Sequence, residues 1–291
     1  MMAQNAAPPA IRLALPKGRM EAGVFALLAD AGIRLGTSSR DYRPHISLDG
    51  YDVKILKAQN IVEMLHFGSR DLGFAGADWV AELDAKLVEL LDTGLDPVRL
   101  VAATPAGTRL DAPRARPLVV ASEYERLSTA WIARRGLVAR FVRSYGATEV
   151  FPPEDADCIV DLTATGATLK ANGLDIVDEL MTSSTRLYAH AGALEDPARR
   201  GAIERFVLVV RAVLEARRRV MLEVNVTADA LEAVIAVLPC MREPTISPLH
   251  GDAGFAVKAA VPRELLPIVI ADIKARGGTD IVVTNLSQIV P

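Results

Sequence analysis

From Ile11 onward, short apolar runs alternate with stretches whose apolar residues recur at helical spacing. Residues 11–15 read as a strand ended by Pro16. Between Met20 and Ala31, Val24, Phe25, Leu27 and Leu28 mark a helix, and Gly32 stops it. Residues 53–56 predict a second strand and 61–67 a second helix, closed by Gly68. The segment Asp71-Leu72-Gly73-Phe74-Ala75-Gly76 predicts a strand running into a tight glycine turn, with a helix from Asp78. Repeated βα units of this kind predict an α/β domain with a largely parallel sheet.

A second unit starts near Thr104-Pro105-Ala106-Gly107. Residues 118–121 predict a strand and 127–135 a helix ending at Gly136. Residues 158–160 and 187–189 predict further strands, and 197–215 a helical stretch ending in Arg217-Arg218-Arg219. Those arginines suit a solvated helix end, where they complement the dipole. Beyond them the period changes to two: Val220, Leu222, Val224 and Val226 alternate with polar residues. A helix over 228–238, strands over 245–247 and 255–261, a helix face of Leu265, Leu266, Val269, Ile270 and Ile273, and a strand over 281–283 follow. The order β-α-β-β-α-β over ~70 residues is ferredoxin-like.

Composition bounds the partners. At 291 residues the chain is long enough for two domains, or three, at about 150 residues each. Thirty-three basic and 36 acidic residues leave a net charge of −3, which argues against nucleic acid and leaves room for a local basic site. Only seven residues are lysine. Cys158 and Cys240 make no disulfide framework and suit a reducing cytoplasm. No apolar run reaches the ~18 residues of a membrane span, and the first nine residues read as a frayed tail without the features of a signal peptide.

Chemistry concentrates in three places. In Asp161-Leu162-Thr163-Ala164-Thr165-Gly166-Ala167-Thr168, an apolar strand delivers an acid, then three threonines and a glycine, at the start of a helix. Convergent N–H groups and hydroxyls are what a phosphate monoester needs, and the acid suits ribose hydroxyls or hydrated magnesium. A threonine-capped turn is the plainer reading. Pro16-Lys17-Gly18-Arg19 follows the first strand and offers two cations where the backbone allows close approach; a solvated basic turn is its plainer reading. Asp71 to Asp78 carries two glycines, with Asp78 read as a helix N-cap. His45, His66, His190 and His250 lack metal-ligand spacing, and no Gly-x-Ser-x-Gly elbow occurs.

At these residues the chain resembles the long-form ATP phosphoribosyltransferases, the first enzymes of histidine biosynthesis. Leu15-Pro16-Lys17-Gly18-Arg19 is similar to the family's opening strand and loop, and Asp71 to Gly76 to its Asp-x-Gly-Ile-x-Gly turn. Residues 161–169, continued by Ala171-Asn172-Gly173-Leu174, match its phosphoribosyl-binding stretch. Pro244-Thr245-Ile246-Ser247-Pro248-Leu249 is similar to the Pro-Thr-x-x-Pro-Leu of its regulatory domain. Lys57-Ala58-Gln59-Asn60-Ile61-Val62, Glu125 and Pro152-Pro153-Glu154-Asp155 depart from the family pattern.

The resemblance implies an α/β fold of two periplasmic-binding-protein-like lobes plus a C-terminal ferredoxin-like (ACT-like) regulatory domain. Lobe I would comprise 1–103 with a return segment 186–216, lobe II 104–185, and the regulatory domain 217–291. It implies Lys17, Arg19, Asp71, Glu149 and Asp161 as catalytic residues. Asp161, Leu162, Thr163, Ala164, Thr165, Gly166, Ala167 and Thr168 would hold phosphoribosyl diphosphate, and Lys17, Gly18, Arg19, Glu123 and Tyr124 would hold ATP. Histidine would bind as effector at Glu223, Thr245 and Ser247. Magnesium would be the cofactor, and the protein would be a cytoplasmic homo-oligomer, dimer to hexamer, with no nucleic-acid or membrane partner. A two-lobed ligand-binding protein is the rival reading. It would need an export signal and would not need a sugar-phosphate loop beside a second anion site.

Overall fold

Runs of apolar residues without polar alternation form strands buried on both faces, as a sheet covered by helices requires. In the computed structural model, which describes residues 11–36, 42–112 and 115–290, β1 (Ile11–Pro16), β3 (Leu72–Gly76) and β5 (Leu118–Ser122) are of this kind. The reading of the first nine residues as a tail lies outside the described residues.

The chain runs β1, α1 (Glu21–Asp30), β2 (Tyr51–Leu56), α2 (Ala58–His66), β3, α3 (Ala77–Glu82), β4 (Val88–Pro105), β5, α4 (Glu125–Arg134), β6 (Ala139–Arg143), β7 (Cys158–Thr163), α5 (Ala167–Ala171), β8 (Leu174–Ala189), α6 (Ala191–Glu195) and α7 (Pro197–Arg218). It continues through β9 (Arg219–Val226), α8 (Leu231–Ile235), β10 (Thr245–Pro248), β11 (Phe255–Pro262), α9 (Leu266–Ala275) and β12 (Thr279–Asn285). Two compact units result, Met1–Ala26 with Ile33–Glu204, and Leu27–Gly32 with Arg205–Pro291.

The first unit is built on an eight-stranded sheet in the order β2-β1-β3-β8-β4-β7-β5-β6. The expectation of a largely parallel sheet is corrected. Two parallel trios, β2-β1-β3 and β7-β5-β6, are joined through β8 and β4, which run antiparallel to each other and to their neighbours. Both joining strands are long, 18 and 16 residues. Sequence patterning gave no sign of β4 and showed only the last three residues of β8. Gly94 and Pro97 read as chain breakers. Here the strand absorbs them at register shifts, with Gly94 at φ 66° and Asp96 at φ 48°.

Helices pack on both sides of the second trio. On one face Trp131 of α4 is buried with Leu118, Val120, Cys158 and Val160; on the other, Val119, Ala121, Ile159 and Leu169 cluster. In the first trio Gly73 is bare for a reason: a Cβ there would come within 2.9 Å of the Ile61 side chain on α2 and 3.2 Å of Ala14.

The second unit carries a four-stranded sheet, β10-β11-β9-β12, antiparallel throughout. With α8 and α9 this is the expected β-α-β-β-α-β order. The alternation in β9 buries Val220, Leu222, Val224 and Val226 against Val234, Val269 and Ile273. The helix expected over 228–238 is shorter, a 3-10 turn over Ala228–Ala230 followed by α8. At the end of α7, Arg217 pairs with Asp30 at 2.7 Å and Arg218 with Glu215 at 3.7 Å.

Candidate functional site

In an α/β sheet, ligands collect beyond the carboxyl ends of parallel strands. Three segments meet that description in the second trio: Glu123 after β5, the stretch 144–150 after β6, and 163–168 after β7.

The turn after β7 is built from its own side chains. The N–H of Gly166 donates to Thr163 Oγ1 at 2.8 Å and that of Ala167 to Thr165 Oγ1 at 3.3 Å. Gly166 sits at φ +82°, a left-handed backbone that favours glycine. Leu169, 3% exposed, anchors the short helix α5 in the core. Ala164, Thr165, Ala167 and Thr168 are exposed, Leu162 and Gly166 half-buried, and Thr163 buried as a cap on the turn.

Asp161 is a half-buried residue of β7 whose Oδ1 accepts the Leu162 N–H at 2.7 Å. Burial first, and then the nearby Glu149 and Glu123 carboxylates, push its acid up to about 6 against the pull of that N–H. Asp161, Glu149 and Glu123 therefore share one electrostatic neighbourhood. Glu149 is presented by a loop pinned from below. Ser144 and Thr148 join their buried hydroxyls at 2.7 Å, Ser144 N–H bonds Ser122 O at 3.0 Å, and Ala147 takes a left-handed φ of 49°.

In the first trio Lys17, Gly18 and Arg19 follow β1. Lys17 N–H bonds Leu56 O at the end of β2 at 2.9 Å. Gly18 lies at φ +82° with its N–H on Glu21 Oε2 at 3.2 Å, and Arg19 Nη1 donates to Asp96 O at 3.4 Å. Lys17 is half-buried, while Gly18 and Arg19 are exposed.

Two expected site residues are placed elsewhere. Asp71 precedes β3, at the strand end away from Gly76, and is 0% exposed. Its carboxylate takes the Arg12 backbone N–H at 2.8 Å, the Arg12 guanidinium at 2.6 and 2.9 Å and Arg199 at 3.3 Å. Burial raises its acid, but the hydrogen bonds and charge of Arg12, with the charge of Arg199, outweigh burial and hold it below the usual range. It is a buried, ion-paired carboxylate of the first unit, at the end of β3 opposite the carboxyl ends of that trio. Tyr124, 3% exposed, is likewise a core residue: its hydroxyl donates to Asp78 Oδ2 at 2.8 Å and its ring packs 4.7 Å from that of Trp79.

Asp78 is not the N-cap of α3; Gly76 holds that position, and no side chain caps the helix there. Asp78 is buried and accepts from Ser183 on β8 at 2.5 Å as well as from Tyr124, tying the start of α3 to both. A Cβ on Gly76 would overlap the Asp78 carboxylate, which is why that position is bare. Glu82 caps α4 from α3, accepting the N–H groups of Arg126 and Leu127 at 2.9 and 3.0 Å. Sequence patterning missed both roles, because a carboxylate capping a neighbouring helix leaves no local motif.

In the second unit, Glu223, Lys258 and Thr245 stand in register across β9, β11 and β10, with Glu223 and Lys258 paired at 2.6 Å. Ser247 lies opposite Ala256, two places along. The three expected effector residues thus share the face that points away from the core. Among the described residues no helix is long and apolar enough to cross a membrane.

Comparison with known proteins gives consistent matches. The family model described as ATP phosphoribosyltransferase matches residues 57–212, and that of its C-terminal domain matches 216–288. The ATP phosphoribosyltransferase of Prosthecochloris aestuarii is 32% identical over 98% of this chain and 99% of its own. That of Pelotomaculum thermopropionicum is 33% identical over 97% and 99%. Among solved structures, the ATP phosphoribosyl transferase (HisG:HisZ) complex from Thermotoga maritima matches with a TM-score of 0.63 and 25% identity. The match covers 70% of this chain and 98% of that one.

Proposed function

Because the chain belongs to the ATP phosphoribosyltransferase family in its long form, and is therefore a phosphoribosyl-transferring enzyme of histidine biosynthesis, we propose that it transfers the phosphoribosyl group of phosphoribosyl diphosphate to N1 of the adenine of ATP, releasing pyrophosphate. The turn at 163–168 carries this reading. It presents exposed Thr165 and Thr168 hydroxyls beyond the carboxyl end of β7, beside a half-buried carboxylate.

In this reading residues 161–168 hold the 5′-phosphate and ribose. Asp161 accepts from ribose hydroxyls, and Thr165, Thr168 and the backbone donate to phosphate. Adenine N1 attacks the anomeric carbon as the bond to diphosphate breaks, through an oxocarbenium-like transition state. The protein's task is to align two polyanions and stabilise the departing charge. Lys17 and Arg19 supply cations for that purpose, Glu149 borders the ribose, and Glu123 stands on the ATP side. No covalent nucleophile is needed. Cys158 is fully buried with its thiol pushed up to about 12 by burial.

Among the described residues no cluster of three or more His, Cys, Asp or Glu side chains forms a metal cage. Magnesium characteristically uses one or two carboxylates plus substrate phosphates, and the crowded acids Asp161 and Glu149 fit that role. They would hold it, and when bound it neutralises charge on the diphosphate.

The proposed division is lobe I over 1–103 with 186–216, lobe II over 104–185, and a regulatory domain over 217–291. In that domain histidine acts as feedback inhibitor at Glu223, Thr245 and Ser247 of a cytoplasmic homo-oligomer. Exposed apolar residues on β12, Val282 and Val283 among them, support an assembly surface.

Thr165→Val tests the loop, since it removes a hydroxyl and keeps the volume. The KM for phosphoribosyl diphosphate is expected to rise about tenfold, with the KM for ATP unchanged and the melting temperature lowered by no more than a few degrees, since the Ala167 N–H loses a long, exposed bond. An unchanged KM for phosphoribosyl diphosphate would reduce the loop to a helix cap. The same assay with added L-histidine tests the regulatory half.

A further inference from the structure

Among the described residues, the Glu123 carboxylate has neither a hydrogen-bond partner nor a counter-ion, although it is half-buried. The cation beside it is engaged elsewhere. Arg143, at the end of the adjacent β6, donates to the backbone carbonyl of Glu123 at 3.2 Å and to the Glu125 carboxylate at 2.5 Å. A partly desolvated carboxylate without a partner is unfavourable unless a ligand supplies one.

The backbone fixes where this carboxylate stands. Strands β5 and β7 pair in parallel with Ser122 opposite Val160, so Glu123 and Asp161 follow at the same level. On its other side lies the loop after β6: a Cβ on Gly146 would come 4.0 Å from Glu123 Oε1. That loop carries Glu149 and is held by the bond from Ser144 N–H to Ser122 O. Glu123 also adds to the field that raises the Asp161 acid.

Transfer to N1 fixes where the base must lie. The anomeric carbon belongs to the ribose assigned to Asp161 and Glu149, and N1 must reach it. The exocyclic N6 is attached to the carbon next to N1, so it arrives at the same place. That amino group offers N–H donors, and an ionised carboxylate only accepts. As N1 bonds to the anomeric carbon, the bond to diphosphate breaks and its electron pair leaves on pyrophosphate. Positive charge then spreads over N1, C6 and N6. A carboxylate accepting from N6 interacts more strongly as that charge grows, without taking the proton.

We infer that Glu123 accepts from the exocyclic amino group of the attacking adenine, selecting a 6-amino over a 6-oxo purine and stabilising the charge that develops on the base. The inference rests on the reading of the protein as an ATP-using transferase.

The test is Glu123→Gln in the full-length protein, with ATP and inosine triphosphate as probes. Inosine triphosphate carries a 6-oxo group and a proton on N1, so it reports binding alone. By calorimetry the wild type should bind ATP at least about tenfold more tightly than inosine triphosphate. The variant, whose amide can donate to a 6-oxo group, should bind the two within about threefold of each other. Its single-turnover rate of product formation is expected to fall about tenfold or more, with the KM for phosphoribosyl diphosphate within about twofold. An undiminished preference for ATP in the variant, with product still formed by the wild type, would overturn the assignment and leave the transferase reading standing. A preference abolished by the substitution, in a protein whose wild type makes no product, would overturn the transferase reading and uphold the contact.

Discussion

Asp161→Asn is expected to lower kcat/KM for phosphoribosyl diphosphate by about a hundredfold or more while making the substrate-free protein more stable at pH 7.5. Both effects have one cause. Burial and the neighbouring Glu149 and Glu123 push the Asp161 acid up to about 6, so its ionised form is disfavoured in the folded chain until a substrate or cation arrives. The ordinary carboxylic pKa is 3.8. The difference corresponds to at most about 3 kcal/mol at neutral pH, and its removal should raise the unfolding midpoint by several degrees.

The pH dependence has a definite sign. With the folded pKa raised, the folded state holds the proton more tightly between about pH 4 and 6, so this group's contribution to stability falls as pH rises through that window. Asparagine abolishes the effect. Activity moves the opposite way. Ribose hydroxyls need the carboxylate, so wild-type kcat/KM should decline as pH falls below about 6. Thermal melts from pH 4 to 8 on both proteins, beside steady-state rates, check this. A variant less stable than wild type at pH 7.5, or one with full activity, would refute the assignment.

Asp71→Asn should do the reverse, costing about 3 kcal/mol of stability and leaving the chemistry of the folded enzyme intact. The carboxylate is fully buried and pairs with Arg12 and Arg199, whose side chains are 34% and 29% exposed. Neutralising it strands two partly buried guanidiniums that have lost their counter-charge. Because its folded pKa is depressed, Asp71 contributes stability above the unfolded carboxylic range and loses it as pH falls through the folded value. Urea unfolding should therefore show a lower midpoint with an unchanged slope, and kcat at low temperature should stay within about twofold of wild type. A normal unfolding midpoint together with a collapse in kcat would return Asp71 to the active site.

These two aspartates show what the sequence makes legible. The strand and turn around Asp161 were readable because they are local: the acid, the threonines and the glycine lie within eight consecutive positions. Asp71 looked the same in one dimension, an acid beside a strand and a glycine turn. Its partners lie at 12 and 199, and only the fold shows that it stands at the closed end of the strand. Asp78 and Tyr124 mislead similarly, because a buried carboxylate answered by Ser183 and a tyrosine hydroxyl 46 positions away leaves no periodic trace.

Elements with strict patterning were legible almost residue by residue. In β9 the alternation of Val220 to Val226 fixed both the strand and its inward face, and with it the ferredoxin-like unit. The long strands β4 and β8 were not legible. Their register shifts place Gly94, Asp96 and Pro97 inside a continuous ladder, and their neighbours are strands far away in sequence.

The most direct measurement is the ultraviolet absorbance of N1-phosphoribosyl-ATP formed by the full-length protein with saturating ATP, phosphoribosyl diphosphate and magnesium, with pyrophosphate followed in parallel. Product and pyrophosphate appearing in equal amounts is the predicted result. No product under those conditions, from protein shown to be folded, would contradict it.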